Sequence, residues 1–151
     1  DYYGGNMKFL NENTDSETLA RLAEDADLHV RANVAINENT GPKILAKLAE
    51  DEAWEVNYGV AVAKNESTNS KILAKLAKNK NWKVRIAVAR NKNTEPKILA
   101  KLAKDERWEV HLAVAKNDNT DMETLAMLEK DSEWTVSEAA KRALGKRSEA
   151  K

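Results

Sequence analysis

Residues 91–116 read NKNTEPKILAKLAKDERWEVHLAVAK, and this stretch decides the fold because the chain repeats its frame about five times. The opening Asn-x-Asn/Ser-Thr recurs at Asn11, Asn37, Asn65, Asn91 and Asn117, at spacings of 26, 28, 26 and 26 residues. Periods of this length mark supersecondary units that bury their apolar faces by stacking. Each copy continues with a Leu-Ala-x-Leu core, for example Leu45–Leu48 and Leu99–Leu102. Asp or Asn follows, then two variable residues and usually Trp. A Val-x-x-small-Val-Ala segment closes the unit, as in Val84–Ala89 and Val110–Ala115.

The first half of each unit predicts an α-helix. Thr14, Thr40, Thr68, Thr94 and Thr120 stand where an N-cap hydroxyl accepts an orphan backbone N–H. Thr14 with Glu17, and Thr120 with Glu123, have capping-box spacing. Pro42 and Pro96 fall in the first turn, where a missing N–H costs little. Ile44, Leu45, Leu48 and Ala49 form one apolar stripe, opposite Lys43, Lys47 and Glu50. A second, shorter helix follows, with Asp25, Asp51, Asp105 or Asp131 as its cap; so short a segment leaves α and 3₁₀ geometry open. No segment alternates with period two, so strands are not expected.

One such unit cannot bury its stripe alone, whereas stacked neighbours make a continuous core. The expected architecture is therefore an all-α solenoid of about five two-helix repeats, spanning 11–36, 37–64, 65–90, 91–116 and 117–144. Residues 1–10, with Tyr2, Tyr3, Met7, Phe9 and Leu10, read as an N-terminal cap or partial repeat. Gly145 reads as a helix stop, leaving 145–151 as a flexible tail.

The string Asn-x-Asn-Thr-x-Pro-x-x-Leu-x-x-Leu-Ala-x-Asp…Val-Arg-x-Ala-Val-Ala resembles the leucine-rich repeat variant family. It is similar, more loosely, to the HEAT and armadillo class of α-solenoids. The resemblance covers residues 11 to about 144, and it implies a right-handed superhelix of alternating α and short helices. It says little about function, because such folds host many. The iron–sulfur cluster of the family's prototype does not carry over, since the chain has no cysteine to hold it. Two departures stand out. The second repeat has two extra residues, placed at Val62-Ala63, and two residues turn a helix by about 200°, so a bulge or longer turn is expected there. The last repeat has Ala140-Lys141 in place of Val-Ala, which suits a capping unit with one polar face.

Composition narrows the function. Across 151 residues, Lys plus Arg and Asp plus Glu are 25 each, so no global charge draws the chain to nucleic acid or to an anionic membrane. The lack of cysteine excludes a disulfide framework, a thiolate metal site and a cysteine nucleophile. No apolar run approaches the roughly 20 residues of a membrane span, and no signal-peptide pattern opens the chain. A soluble, cytoplasmic protein without a membrane partner is expected, monomeric or weakly self-associating. The start at Asp1, without Met, points to a fragment, a processed form or a tagged one. The two histidines, His29 and His111, are three repeats apart, about 30 Å in a stack of helix layers, and cannot share a metal or a proton. No phosphate loop, zinc spacing or nucleophile motif appears. Neither an enzymatic activity nor a metal or other cofactor is expected.

Comparing the copies suggests where a partner binds. Positions that vary inside a fixed frame are free of internal demand, and they concentrate on the second helix. The series Arg31, Asn57, Arg85, His111, Ser137 runs beside Ala32, Tyr58, Ile86, Leu112, Glu138. Arg31, Tyr58, Arg85, Ile86, His111 and Leu112 are accordingly the candidate protein-binding face, using residue types that interfaces favour. The competing reading packs half of them between repeats, Ile86 and Leu112 first. Trp54, Trp82, Trp108 and Trp134 recur once per repeat, which favours packing at the helix junction over a ladder that stacks on bases or sugars. The paired asparagines read as turn chemistry.

Charge is uneven: the third repeat carries +6, the fourth +2 and the first −4. Lys71, Lys75 and Lys78, with Lys97, Lys101 and Lys104, make two adjacent basic stripes able to follow a phosphate backbone, though such stripes are commonly a solvated face. The leading functional reading is a protein-binding scaffold. The alternatives are a nucleic-acid or other polyanion binder, and an engineered or recently expanded array without a native ligand.

Overall fold

The computed structural model describes residues 10–50 and 56–150. These hold ten α-helices and no strand: α1 (Ser16–Leu22), α2 (Leu28–Ile36), α3 (Pro42–Ala49), α4 (Val56–Lys64), α5 (Ser70–Leu76), α6 (Trp82–Arg90), α7 (Pro96–Leu102), α8 (Trp108–Lys116), α9 (Met122–Leu128) and α10 (Trp134–Glu149). Odd-numbered helices open the repeats and even-numbered ones close them. The second helix is α in every repeat, which settles the choice against 3₁₀.

The two layers pack differently. Even-numbered helices present Val and Ala to one another (Val34, Ala35, Val62, Ala63, Val88, Ala89, Val114 and Ala115, all buried) and so approach closely along the whole stack. Odd-numbered helices each bury a Leu pair, Leu19/Leu22, Leu45/Leu48, Leu73/Leu76, Leu99/Leu102 and Leu125/Leu128, and stand further apart. The contributions merge into a single hydrophobic core running the length of the chain, as a solenoid requires. The wider spacing of the odd-numbered layer leaves grooves between its helices.

Capping differs from expectation by one register. Helices α1, α5 and α9 are capped by the residue after the threonine: the carboxylates of Asp15 and Asp121 and the side-chain oxygen of Asn69 accept the N–H of Thr18, Thr124 and Ile72. The capping boxes expected at Thr14–Glu17 and Thr120–Glu123 are therefore replaced by caps at Asp15 and Asp121. The threonines cap the other end of the connection. Thr40, Thr68, Thr94 and Thr120 are buried, and their hydroxyls donate to the carbonyls of Val34, Val62, Val88 and Val114 at 2.5–2.6 Å. They give these C-terminal carbonyls a second partner, beside the backbone N–H of Asn37, Asn65, Asn91 and Asn117. Asp25, Asp105 and Asp131 are likewise not N-caps. Each accepts the N–H two residues ahead, placing Asp27, Arg107 and Glu133 at the cap position. Asp51 lies outside the described residues.

The paired asparagines are more than turn formers. Asn65, Asn91 and Asn117 are buried, and each donates from Nδ2 to two carbonyls that straddle the preceding junction between repeats: Ala35 and Asn37, Ala63 and Asn65, Ala89 and Asn91, at 2.6–3.0 Å. Each Oδ1 also accepts the N–H two residues ahead. A second rail runs beside this ladder, from Asn39, Asn93 and Asn119 to the carbonyls of Thr14, Thr68 and Thr94. The third repeat interrupts it, with Ser67 where the others have asparagine. No described non-glycine residue has positive φ, so the asparagines serve by hydrogen bonding and not by adopting left-handed geometry.

The two extra residues of the second repeat do not bulge the helix at Val62-Ala63. Both side chains are fully buried, the Val62 carbonyl accepts the Thr68 hydroxyl, and the Ala63 carbonyl accepts Asn91. They fill the places that Val88-Ala89 and Val114-Ala115 fill elsewhere. The asparagine–threonine clip fixes register at the C-terminal end of the helix, so the insertion is accommodated upstream. As a consequence Gly59, not Asn57, occupies the position of Arg85 and His111. Gly145 does not stop α10, which continues to Glu149. Its Cα faces open space, Lys146 and Arg147 suit a helix C-terminus, and Arg147 ties the end down by donating to the Asp118 carbonyl at 2.9 Å. The flexible tail expected from 145 is therefore a docked helical turn. Residues 1–9, read as a cap or partial repeat, lie outside the described residues.

Candidate functional site

The candidate protein-binding residues divide into two groups. Arg85 and His111 point into the seams between repeats. Arg85 is only 9 % exposed. Its guanidinium donates from Nε and Nη2 to both carboxylate oxygens of Asp105, at 2.7 and 3.2 Å, and from Nη1 to the carbonyls of Asn79 and Lys80. One side chain thus joins the inter-helix loop of its own repeat to that of the next. His111 does the same, with Nδ1 2.8 Å from Asp131 Oδ2 and Nε2 2.5 Å from the Asp105 carbonyl. Both ring nitrogens therefore lie within hydrogen-bond distance of an oxygen of the neighbouring loops. Arg31 also donates to its own loop, at the Asp25 carbonyl.

These seams correct the premise that placed Arg85 and His111 on a display surface. Each is matched by a carboxylate of the next repeat. The basic residue and the acid lie twenty positions apart, at Arg85–Asp105 and His111–Asp131, and Arg31–Asp51 keeps that spacing in the sequence. Where Gly59 supplies no cation, Asn79 replaces the acid. Removing both together avoids a buried carboxylate without a partner, which is the costly case. Reading the variable positions in pairs at that spacing, instead of singly, would have exposed the coupling. Tyr58 lies on α4, and its side chain, like Trp54, lies outside the described residues. Ile86 and Leu112 are half-buried against the core, with Ala32 and Val60 at the equivalent places.

The tryptophans also depart from the packing expectation. Trp82 is half-buried, with the Arg107 guanidinium 4.3 Å and the Lys83 ammonium 5.9 Å from its ring centre. Trp108, whose counterpart to Arg107 is Glu133, is 43 % exposed, and Trp134 on α10 is 70 % exposed. Exposure follows the loss of a covering cation. Two shallow cavities of about 340 Å³ each lie along this layer, one against Ile36, Val60 and Lys64, the other against Val60, Trp82, Ile86 and Arg90. They share Val60 and Lys64 and so lie next to each other.

The lysine stripes come together on the opposite layer. A groove of about 730 Å³ runs between α5 and α7, and Lys71, Lys75, Lys78, Lys97 and Lys101 line it, whereas Lys104 does not. All six lysines are exposed. Among the described residues none of them has a carboxylate within ion-pair distance, whereas Lys47 is paired with Glu24 and Lys92 with Glu66.

No protein-family model matches the sequence, and neither does any curated protein. Among solved structures the chain is similar to a leucine-rich repeat variant with a novel repetitive protein structural motif, at 25 % identity and a TM-score of 0.67. The match covers 87 % of this chain. The chain has the leucine-rich repeat variant fold. It spans about half of that variant, 52 % of its length. Among the described residues, the chain brings together no group of three or more His, Asp or Glu side chains able to hold a metal ion. None of its described helices is long and apolar enough to cross a membrane.

Proposed function

We propose that the chain is a non-catalytic scaffold that binds a protein partner along its even-numbered helices. The observation that carries this reading is the run of exposed apolar surface on that layer. Ile36 is 63 % exposed and lines one cavity, half-buried Ile86 lines the next, and half-buried Leu112 and exposed Trp108 follow on α8. Lys64, Lys83 and Arg90 rim the same surface. A partner segment offering apolar side chains flanked by carboxylates would match both features. Arg85 and His111 contribute by holding the rungs in register, which keeps the face rigid and lowers the ordering cost of association.

The test is site-specific photo-crosslinking, with a benzophenone amino acid placed at Ile36, Trp108 or, as a control on the odd-numbered layer, Met127. Adducts to a polypeptide from positions 36 and 108, lost on Ile86→Asp, would support the reading. Equal labelling from all three positions, or adducts unaffected by Ile86→Asp, would remove it.

A further inference from the structure

We infer that the groove between α5 and α7 is a second binding site, which takes the phosphate backbone of a nucleic acid without reading its sequence. The inference is independent of the protein-binding reading, since it concerns the opposite helix layer.

The decisive comparison is between two equivalent junctions of the stack. Between repeats one and two, the position pair Glu24 and Lys47 forms an ion pair. Between repeats three and four, the same two positions are Lys78 and Lys101. Two ammonium groups therefore face one groove where the fold elsewhere places opposite charges. Packing does not demand this, because the Glu–Lys version builds the same junction. Lys71 and Lys75 on one wall, and Lys97 on the other, add to the field. The carboxylates nearby are Glu95, which is exposed, and Asp105, which Arg85 already occupies. The positive charge is left for something outside the chain.

The chemistry of the lining selects the ligand. In the floor, Ile98 and Leu102 are 8 % and 3 % exposed, so no large apolar side chain stands open to anchor a partner. The groove has no arginine, whose fork geometry would favour fixed pairing with individual carboxylates. It also has no aromatic platform for bases. Flexible ammonium point charges suit phosphates spaced along a strand. On one helix, lysines four apart rise about 6 Å, and the facing column stands about 8–10 Å away. A backbone laid along the groove meets ammonium groups on both sides.

The experiment is fluorescence anisotropy with the full chain and a labelled oligo-dT of about 20 nucleotides, longer than the footprint of a small single-strand site. With about four phosphates neutralised, affinity should fall about 50-fold between about 50 and about 200 mM salt. The double variant Lys75→Glu/Lys101→Glu should weaken binding by about 10-fold or more at the lower salt. Lys116→Glu/Lys130→Glu changes net charge equally outside the groove and should leave most of the binding intact. All four side chains are exposed, so circular dichroism melts should be unchanged. Absence of binding at the lower salt, equal weakening by both double variants, or equally tight binding of poly-L-glutamate would each overturn the inference.

Discussion

Asp105→Asn is the sharpest test of the seams. The substitution keeps the shape of the side chain and leaves an oxygen to accept the Arg107 N–H, now at 3.0 Å. It removes the charge that meets Arg85 Nε at 2.7 Å and Nη2 at 3.2 Å. Both side chains are largely buried, at 11 % and 8 % exposure, and leaving one member of a buried pair alone costs about 3–5 kcal/mol. Arg85 keeps the Asn79 and Lys80 carbonyls, and Glu106 stands 3.8 Å from it in solvent, so the lower end, about 3 kcal/mol, applies. That corresponds to a fall in Tm of about 6–12 °C for a chain of this size. Arg85→Met should cost about as much, because it strands Asp105. The double variant should cost little more than either single one, since the pair is lost only once. Urea midpoints at constant m-value measure all three. Additive losses, or a cost for Asp105→Asn below about 1 kcal/mol, would refute the claim that the pair couples adjacent repeats.

Other outcomes follow from the ladder, the caps and the indoles. Asn91→Ala removes two donated bonds and one accepted bond in a buried site, and should cost about 2–4 kcal/mol by urea denaturation, with faster amide exchange in repeats three and four. The carboxyl of Asp121 is held below its ordinary 3.8, chiefly by the Thr124 N–H, then by the Thr124 hydroxyl, with a smaller pull from Arg147. Its contribution is therefore complete above that value and fades as pH falls through the lower folded value. Asp121→Ala should cost about 1 kcal/mol at neutral pH, with a smaller difference from the parent below pH 3.8 in acid-titrated melts. Trp134→Ala should change stability by less than about 0.5 kcal/mol, as the indole is mostly in solvent.

The architecture was readable because packing repeats. Leu45, Leu73 and Leu99 recur in one frame since each fills the same space, and that recurrence gave the helices, their order and the single core. Capping was readable only to within a residue. Thr94 and Glu95 are adjacent, and either can cap on paper; the buried Val88 carbonyl decides the role of the threonine, and that requirement comes from the preceding helix. The insertion misled for a related reason. Val56–Ala61 matches the repeat motif locally, but the clip at Asn65 and Thr68 fixes register from the other end. The variable residues were the hardest. Arg85 and His111 look free when each repeat is read alone, because the carboxylate that satisfies each of them belongs to the next repeat. The lysine groove was the part of the site most visible in the sequence, since i, i+4, i+7 spacing on two neighbouring helices already places the charges side by side.

One joint differs from its neighbours twice over. Between the second and third repeats, Gly59 and Asn79 stand where other junctions have a cation and an acid, and Ser67 stands where others have the second asparagine. For elastic elements in series the compliances add, so the most compliant junction dominates the bending of the whole rod. Slow flexing of this molecule should therefore concentrate there, with the first two modules swinging against the last three as stiff arms.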